Sequence, residues 1–213
     1  SSPSRAYGLL LAAIRDPDPV VFLEPKRIYR LNKEDVIDDG EDLPLDVCYV
    51  LRDGSDVTLV TWGAMIKETL EAADRLAEKG ISAEVIDVAT ISPLDMETII
   101  ESVQKTGRCV IVQEAPKTLG TASEIIARLN DKALLYLEAP VQRVTGYDVV
   151  MPDFGRENDY LPTTPRVRRA LEATLDFYCG FIGLKETRRK EIGDEALLVW
   201  LTDDSGSYDI ELT

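Results

Sequence analysis

The chain has 213 residues, 30% of them charged, and its 39 acidic against 24 basic side chains leave a net charge of −15. A nucleic-acid surface needs a clustered basic face, and a membrane span needs about 20 consecutive apolar residues; neither is present, so nucleic acid and membrane are not expected partners. Histidine is absent, which removes the commonest general base and metal ligand and leaves carboxylates, backbone groups or another chain to supply chemistry. Cys48, Cys109 and Cys179, odd in number and widely spaced, read as plain thiols and not as a disulfide framework or zinc motif. The amino end, SSPSRAYGLLLAAIRDPDP, breaks its apolar stretch with charges and prolines and lacks a small-residue cleavage site, so cytoplasm or an equivalent matrix is the expected location.

In chain order, residues 5–15 have helical spacing and PVVFLEP (19–25) reads as one β-strand. A helix and a single strand cannot bury a core, so residues 1–30 look like the end of a domain. The acidic stretch 31–44, LNKEDVIDDGEDLP, reads as a linker. From 45 to 175 strand and helix periods alternate. VTLVTW (57–62) is a β-branched run, and Ala64, Ile66, Leu70, Ala73, Leu76 and Ala77 recur at helical spacing before Lys79 and Gly80 close the helix. AEVIDV (83–88) is again β-rich. Pro93 suits the first turn of a second helix over 95–104, which Lys105, Thr106 and Gly107 end; CVIVQEA (109–115) is a third strand. Residues 117–120 form a loop into a helix over 123–130. Residues 139–148 are a fourth strand and its exit, and 165–175 a closing helix. Two strands joined by a helix lie parallel, so the expected fold is α/β: a three-layer sandwich around a mostly parallel sheet, with ligands at the carboxyl ends of the strands. Residues 176–213 change period, with a short helical stretch ending at Gly183 followed by ETRRKE, ALLVWL and SYDIEL as strands, a short α+β tail.

Few residues suggest chemistry. In AIRDPDP the carbonyls of Ala13 and Ile14, at a helix C-terminus, stand beside Asp16 and Asp18; such a turn either holds a cation or is a solvated acidic turn. Glu114, at the end of the third strand, is a candidate acid or partner for another chain, or a plain strand-end carboxylate. Trp62 and Gly63 read as a close-packed turn. Arg166, Arg168 and Arg169 read as a solvated helix face or a dock for an acidic partner. Glu211, between Ile210 and Leu212, reads as the outward residue of a strand. The glycines match no phosphate-cradling loop.

The phrases GLLLAAIRDPDPVVFLEPKRIYR (8–30), GSDVTLVTWGAM (54–65), AEVIDVATISPLD (83–95), TGRCVIVQEAP (106–116), APVQRVTGYDVVMP (139–152) and YLPTTPRVRRAL (160–171) together resemble the beta subunit of the thiamine-diphosphate-dependent 2-oxo acid dehydrogenases, pyruvate or branched-chain type. The likeness covers about 3–176. Residues 45–175 resemble the transketolase C-terminal domain, and 1–30 the last helix and strand of a pyrimidine-binding domain. The resemblance implies a potassium site at Ala13, Ile14, Asp16 and Asp18. It also implies a heterotetramer of two alpha and two beta chains, docked on the subunit-binding domain of an acyltransferase core. The family's cofactor-activating glutamate and active-site histidine lie upstream of Ser1, and its magnesium and diphosphate ligands belong to the alpha subunit. Thiamine diphosphate is therefore expected in the intact complex and not on this chain alone, which is expected to be inactive by itself. Ala89 stands where the family usually has arginine.

The tail is similar to something else. LDFYCGFIGLKETRRKE (175–191) and SYDIELT (207–213) resemble the first βαβββ module of glyoxalase I, of the vicinal oxygen chelate superfamily. That resemblance implies a divalent-metal ligand at Glu211, one of a four-residue site whose other members this chain does not carry.

Overall fold

The computed structural model describes residues 2–31 and 33–175, together with the backbone of three strands at 185–192, 196–202 and 209–212. A leading helix, α1 (Pro3–Arg15), precedes an extended stretch and a short 3-10 turn (Lys26–Ile28). The elements that follow are β1 (Tyr49–Arg52), β2 (Val57–Thr61), α2 (Ile66–Ala77), β3 (Ala83–Asp87), α3 (Met96–Thr106), β4 (Cys109–Pro116), α4 (Thr121–Ala133), β5 (Gln142–Gly146), the single turn α5 (Glu157–Tyr160) and α6 (Thr164–Leu175).

The sheet order is β1-β3-β2-β4-β5. β3, β2, β4 and β5 are mutually parallel, in registers such as Leu59 opposite Val85 on one side and Val110 on the other. Side-chain alternation sorts the central strands onto two faces. Val57, Leu59, Val110 and Val112 pack with Ala72, Leu76, Val167 and Leu171 of α2 and α6. Val60, Cys109 and Ile111 pack with Ile99, Val103, Ile125 and Leu129 of α3 and α4 on the other face. The sandwich expected from the sequence is therefore present, and both faces of β2 are buried along its whole length. The polar interruptions pair inside the core: Thr58 Oγ1 lies 2.6 Å from Ser102 Oγ and 2.7 Å from Thr106 Oγ1, as buried hydroxyls must.

Local chemistry sets the boundaries. Asp95 caps α3 by accepting the Thr98 N–H at 3.1 Å, and Gly107 ends it in the left-handed conformation, φ 68°. Pro93 thus lies before the cap and not in the first turn, where the proline-at-N1 preference had placed it. The stretch 19–25 is extended but forms no strand; Val21 and Leu23 are exposed, and no strand among the described residues pairs with it. Conversely β1, not anticipated, adds an antiparallel edge to β3, with Tyr49 opposite Asp87. The acidic 31–44 stretch folds back on α1: Leu43 N–H donates to Gly8 O at 3.2 Å, Tyr7 OH to Asp38 at 2.5 Å, and Arg15 pairs with Asp42 at 2.6 Å.

In the tail, β6 (Lys185–Ile192), β7 (Ala196–Thr202) and β8 (Asp209–Leu212) form an antiparallel sheet in that order. The short helix expected before Gly183 lies outside the described residues.

Candidate functional site at the carboxyl edge of the sheet

Parallel pairing brings the ends of β2, β3, β4 and β5 to one edge. β2 leads toward β3 whereas β4 leads toward β5, so the chain direction reverses between β2 and β4, the place where sheets of this kind form a crevice. Three exits use left-handed backbone: Gly63 (φ 59°), Ala89 (φ 53°) and Leu119 (φ 58°). Two of the three are not glycine, and such strain persists where the surroundings hold it.

At the β3 exit Asp87 is 1% exposed. Its Oδ1 accepts the Ala89 N–H at 3.0 Å, and Arg5 of α1 approaches Oδ2 at 3.4 Å. Burial pushes this carboxyl above the usual range, against the Ala89 N–H and Arg5, which pull it down. Beside the β2 exit, Glu68 in the first turn of α2 pairs with Arg27 at 2.5 Å. The hydrogen bond to Glu68 outweighs burial and, with the charges of Glu68, Glu114 and Glu157, holds the Arg27 guanidinium above its ordinary pKa.

At the β4 exit, fully buried Gln113 donates through Nε2 to Pro116 O (2.7 Å) and Ala115 O (3.3 Å), while its Oε1 accepts the Ala122 N–H at the start of α4 (3.0 Å). This one amide ties the strand end to the helix start. A Cβ at Gly120 would overlap it, which is why glycine stands there. Glu114, next in line, points out and is exposed. At the β5 exit Asp148 accepts the Thr118 N–H (2.9 Å) and hydroxyl (2.8 Å), which hold its carboxyl below the usual range. The joined loops carry Leu119 (97% exposed), Val150 (91%) and Phe154 (87%) on their outer side.

Arg166 is not on a solvated face. It donates to Thr145 O (2.7 Å) and to Tyr160 O and Leu161 O (3.1 Å each), and its guanidinium stacks 4.5 Å from the Tyr147 ring centre, locking the β5 exit. Arg168 instead pairs with Glu172 on α6. Trp62 and Gly63 form the turn into α2 as expected.

The Ala13–Asp18 turn lies apart from this edge. Pro17 has no N–H to offer the Ala13 carbonyl, and the Asp18 N–H is taken by Asp16 Oδ1 at 2.9 Å, so the last carbonyls of α1 keep lone pairs beside two exposed carboxylates. Among the described residues no group of three His, Cys, Asp or Glu converges on a metal position. Glu211 lies on β8 opposite Trp200; its side chain lies outside the described residues. No helix among the described residues is long and apolar enough to cross a membrane.

The family described as Transketolase, C-terminal domain, matches residues 47–167, from just before β1 into α6. The chain belongs to this family. As a transketolase C-terminal domain it has relatives among dehydrogenase subunits. It is similar to the pyruvate dehydrogenase E1 component subunit beta of Bacillus subtilis (48% identical over 177 residues, 83% of this chain and 54% of that protein). It is also similar to the mitochondrial 2-oxoisovalerate dehydrogenase subunit beta of Dictyostelium discoideum (50% over 153 residues, 71% and 41%). The chain spans about half the length of the curated relatives it matches. Among solved structures, a split gene transketolase, an inactive beta4 tetramer, superposes with a TM-score of 0.57 at 30% identity, over 67% of this chain and 45% of that one. The resemblance to beta subunits drawn from the sequence phrases therefore stands.

Proposed function

We propose that the chain is part of the beta subunit of a 2-oxo acid dehydrogenase, pyruvate or branched-chain type, and contributes a structural and docking domain to oxidative decarboxylation without turning over substrate by itself. The observation that carries this is the identity of nearly half over 177 residues to a pyruvate dehydrogenase beta subunit. In the assembled enzyme thiamine diphosphate supplies the electron sink for loss of carbon dioxide. The described residues of this chain do not fit that group: they offer no converging metal ligands, the chain has no histidine, and no glycine loop matches a phosphate cradle. Its own contribution is to orient and to exclude water, with an alpha subunit, a second beta chain and the subunit-binding domain of an acyltransferase core as partners.

The division into 1–30, 31–44, 45–175 and 176–213 belongs to the same proposal, as does a cytoplasmic or matrix location. Potassium at the carbonyls of Ala13 and Ile14, with Asp16 and Asp18, is supported by the lone pairs left at the end of α1. For the tail, a glyoxalase-like half-module with Glu211 as divalent ligand is supported by its three-stranded antiparallel order. Metal titration that gives the same weak binding for wild type and Glu211→Ala ends that reading.

The main test is a decarboxylation assay of the isolated chain with pyruvate and with 3-methyl-2-oxobutanoate, thiamine diphosphate, magnesium and an artificial electron acceptor. No turnover above the cofactor alone is expected, and appreciable activity contradicts the proposal.

A further inference from the structure

We infer that the fold selects one of the chain's two Asp–Gly steps, Asp39–Gly40 in the acidic 31–44 stretch, as a site of isoaspartate formation, and protects the other, Asp53–Gly54 between β1 and β2. The modification needs no enzyme. The glycine nitrogen gives its proton to solvent base and attacks the aspartate Cγ; a C–N bond forms and a carboxyl oxygen leaves as water, which closes a succinimide. Water then adds to a ring carbonyl. Where it breaks the bond from nitrogen to the original main-chain carbonyl, the chain runs on through Cγ and that carbonyl becomes a free carboxylate; nothing is oxidised or reduced. Glycine has no Cβ to block the approach to its nitrogen, so the two steps start equal and their surroundings decide.

Closing the ring swings the aspartate carboxyl and the following peptide together, which takes room and a main chain free to turn. Gly40 has both. It lies outside every helix and strand, and a Cβ built on it would meet the end of the Arg15 side chain at 3.9 Å and nothing closer. Asp39 is exposed, and its Oδ1 accepts the Glu41 N–H at 3.0 Å, so the carboxyl folds forward over the Gly40 peptide. The Gly40 N–H meets one acceptor among the described residues, Tyr7 OH at 3.2 Å. Gly54 has neither room nor freedom. It is buried, and a Cβ on it would stand 2.3 Å from the backbone of Ala83 and Glu84. Its N–H donates to Glu84 Oε2 (3.3 Å) and to Asp53 Oδ1 (3.0 Å), so the Asp53 carboxyl meets that nitrogen through hydrogen and oxygen and not through Cγ. The N–H groups of Ser55 and Asp56 are both held by Ser82 O. Lys105 donates to Asp53 Oδ1 at 2.8 Å and holds this carboxyl below the usual range, and the ionised form is the poorer electrophile. The turn between β1 and β2 must open before a ring can close there. At Asp39 the product keeps its negative charge but adds a methylene to the main chain between Asp38, tied to Tyr7, and Asp42, tied to Arg15.

The test is peptide mass spectrometry with electron-transfer fragmentation, which tells isoaspartate from aspartate residue by residue, on the full chain aged at pH 7 with and without urea. In the native chain isoaspartate is expected to build up roughly tenfold or more faster at residue 39 than at residue 53, which must wait for local opening. In urea both steps lose their surroundings, and the two rates are expected to agree within about threefold. Equal native rates or faster build-up at residue 53 overturn the inference. So does a ratio in urea as large as the native one, which would trace the difference to neighbouring sequence and not to the fold, and so does a native chain that reacts at neither site while the unfolded chain reacts at both.

Discussion

Replacing Gln113 with leucine preserves the volume of a fully buried side chain while deleting the three hydrogen bonds that join the end of β4 to the start of α4. The Ala122 N–H is buried and loses its acceptor, at about 1–3 kcal/mol for an orphaned donor. The Ala115 and Pro116 carbonyls belong to exposed residues and can turn to water, so each adds about 0.5–1 kcal/mol. The sum is roughly 2–5 kcal/mol, or a fall in Tm of about 4–20 °C for a chain of this size. Urea unfolding followed by far-ultraviolet circular dichroism measures it. Gln113→Glu is expected to be no milder: it keeps the acceptor for Ala122 but turns a buried charge on two carbonyl oxygens. A loss below about 0.5 kcal/mol for Gln113→Leu would refute the idea that this amide organises the exit from β4.

Leu119 sits at φ 58° and is almost wholly exposed, so Leu119→Gly is expected to stabilise the chain by about 0.5–1 kcal/mol in the same urea assay, and a clear loss would count against the strained backbone. Burial opposes ionisation of Asp95, but the Cys48 N–H and the Thr98 N–H and hydroxyl outweigh it and hold this carboxyl below 3.8. Its stabilising contribution is therefore present above the unfolded value and lost as pH falls through the depressed one. Asp95→Ala should cost about 1–2 kcal/mol at pH 7, a cost that shrinks as the pH falls through the depressed carboxyl value, and a pH-independent difference would contradict it. Burial pushes the thiols of Cys48 and Cys109 up to about 12, with Asp95 and Asp87 adding to the effect at Cys48. In a Cys179→Ser background, neither should be alkylated by iodoacetamide at pH 8 in native conditions, and both after unfolding; rapid native labelling would show the burial to be wrong.

The parallel strands and their helices were legible because β2, β3 and the first part of β4 are buried on both faces and so read as short runs rich in β-branched residues, while α2, α3 and α4 repeat their apolar residues at helical spacing. Tyr49–Arg52 was not, since a four-residue edge strand exposed in part on both faces carries no period to read. PVVFLEP has every local mark of a strand, but pairing is a property of two segments, and no strand among the described residues pairs with it. Arg166 looked solvated because helical spacing places it, yet it reaches back 21 residues to Thr145. The carboxyl edge was located correctly and Glu114 stands on it, whereas Arg5 with Asp87 and Arg27 with Glu68 join residues 82 and 41 apart, which no local pattern encodes. Gln113 left a signal that went unused: one amide closing an apolar strand just before a glycine-led helix.

Under the proposed function, other chains cover part of the surface of this one. Light scattering coupled to size exclusion, run on the chain alone and after mixing with a dehydrogenase alpha subunit from the same source, measures that directly. A co-eluting species whose mass contains both chains is predicted; two separate peaks at the masses of the unmixed proteins would contradict it.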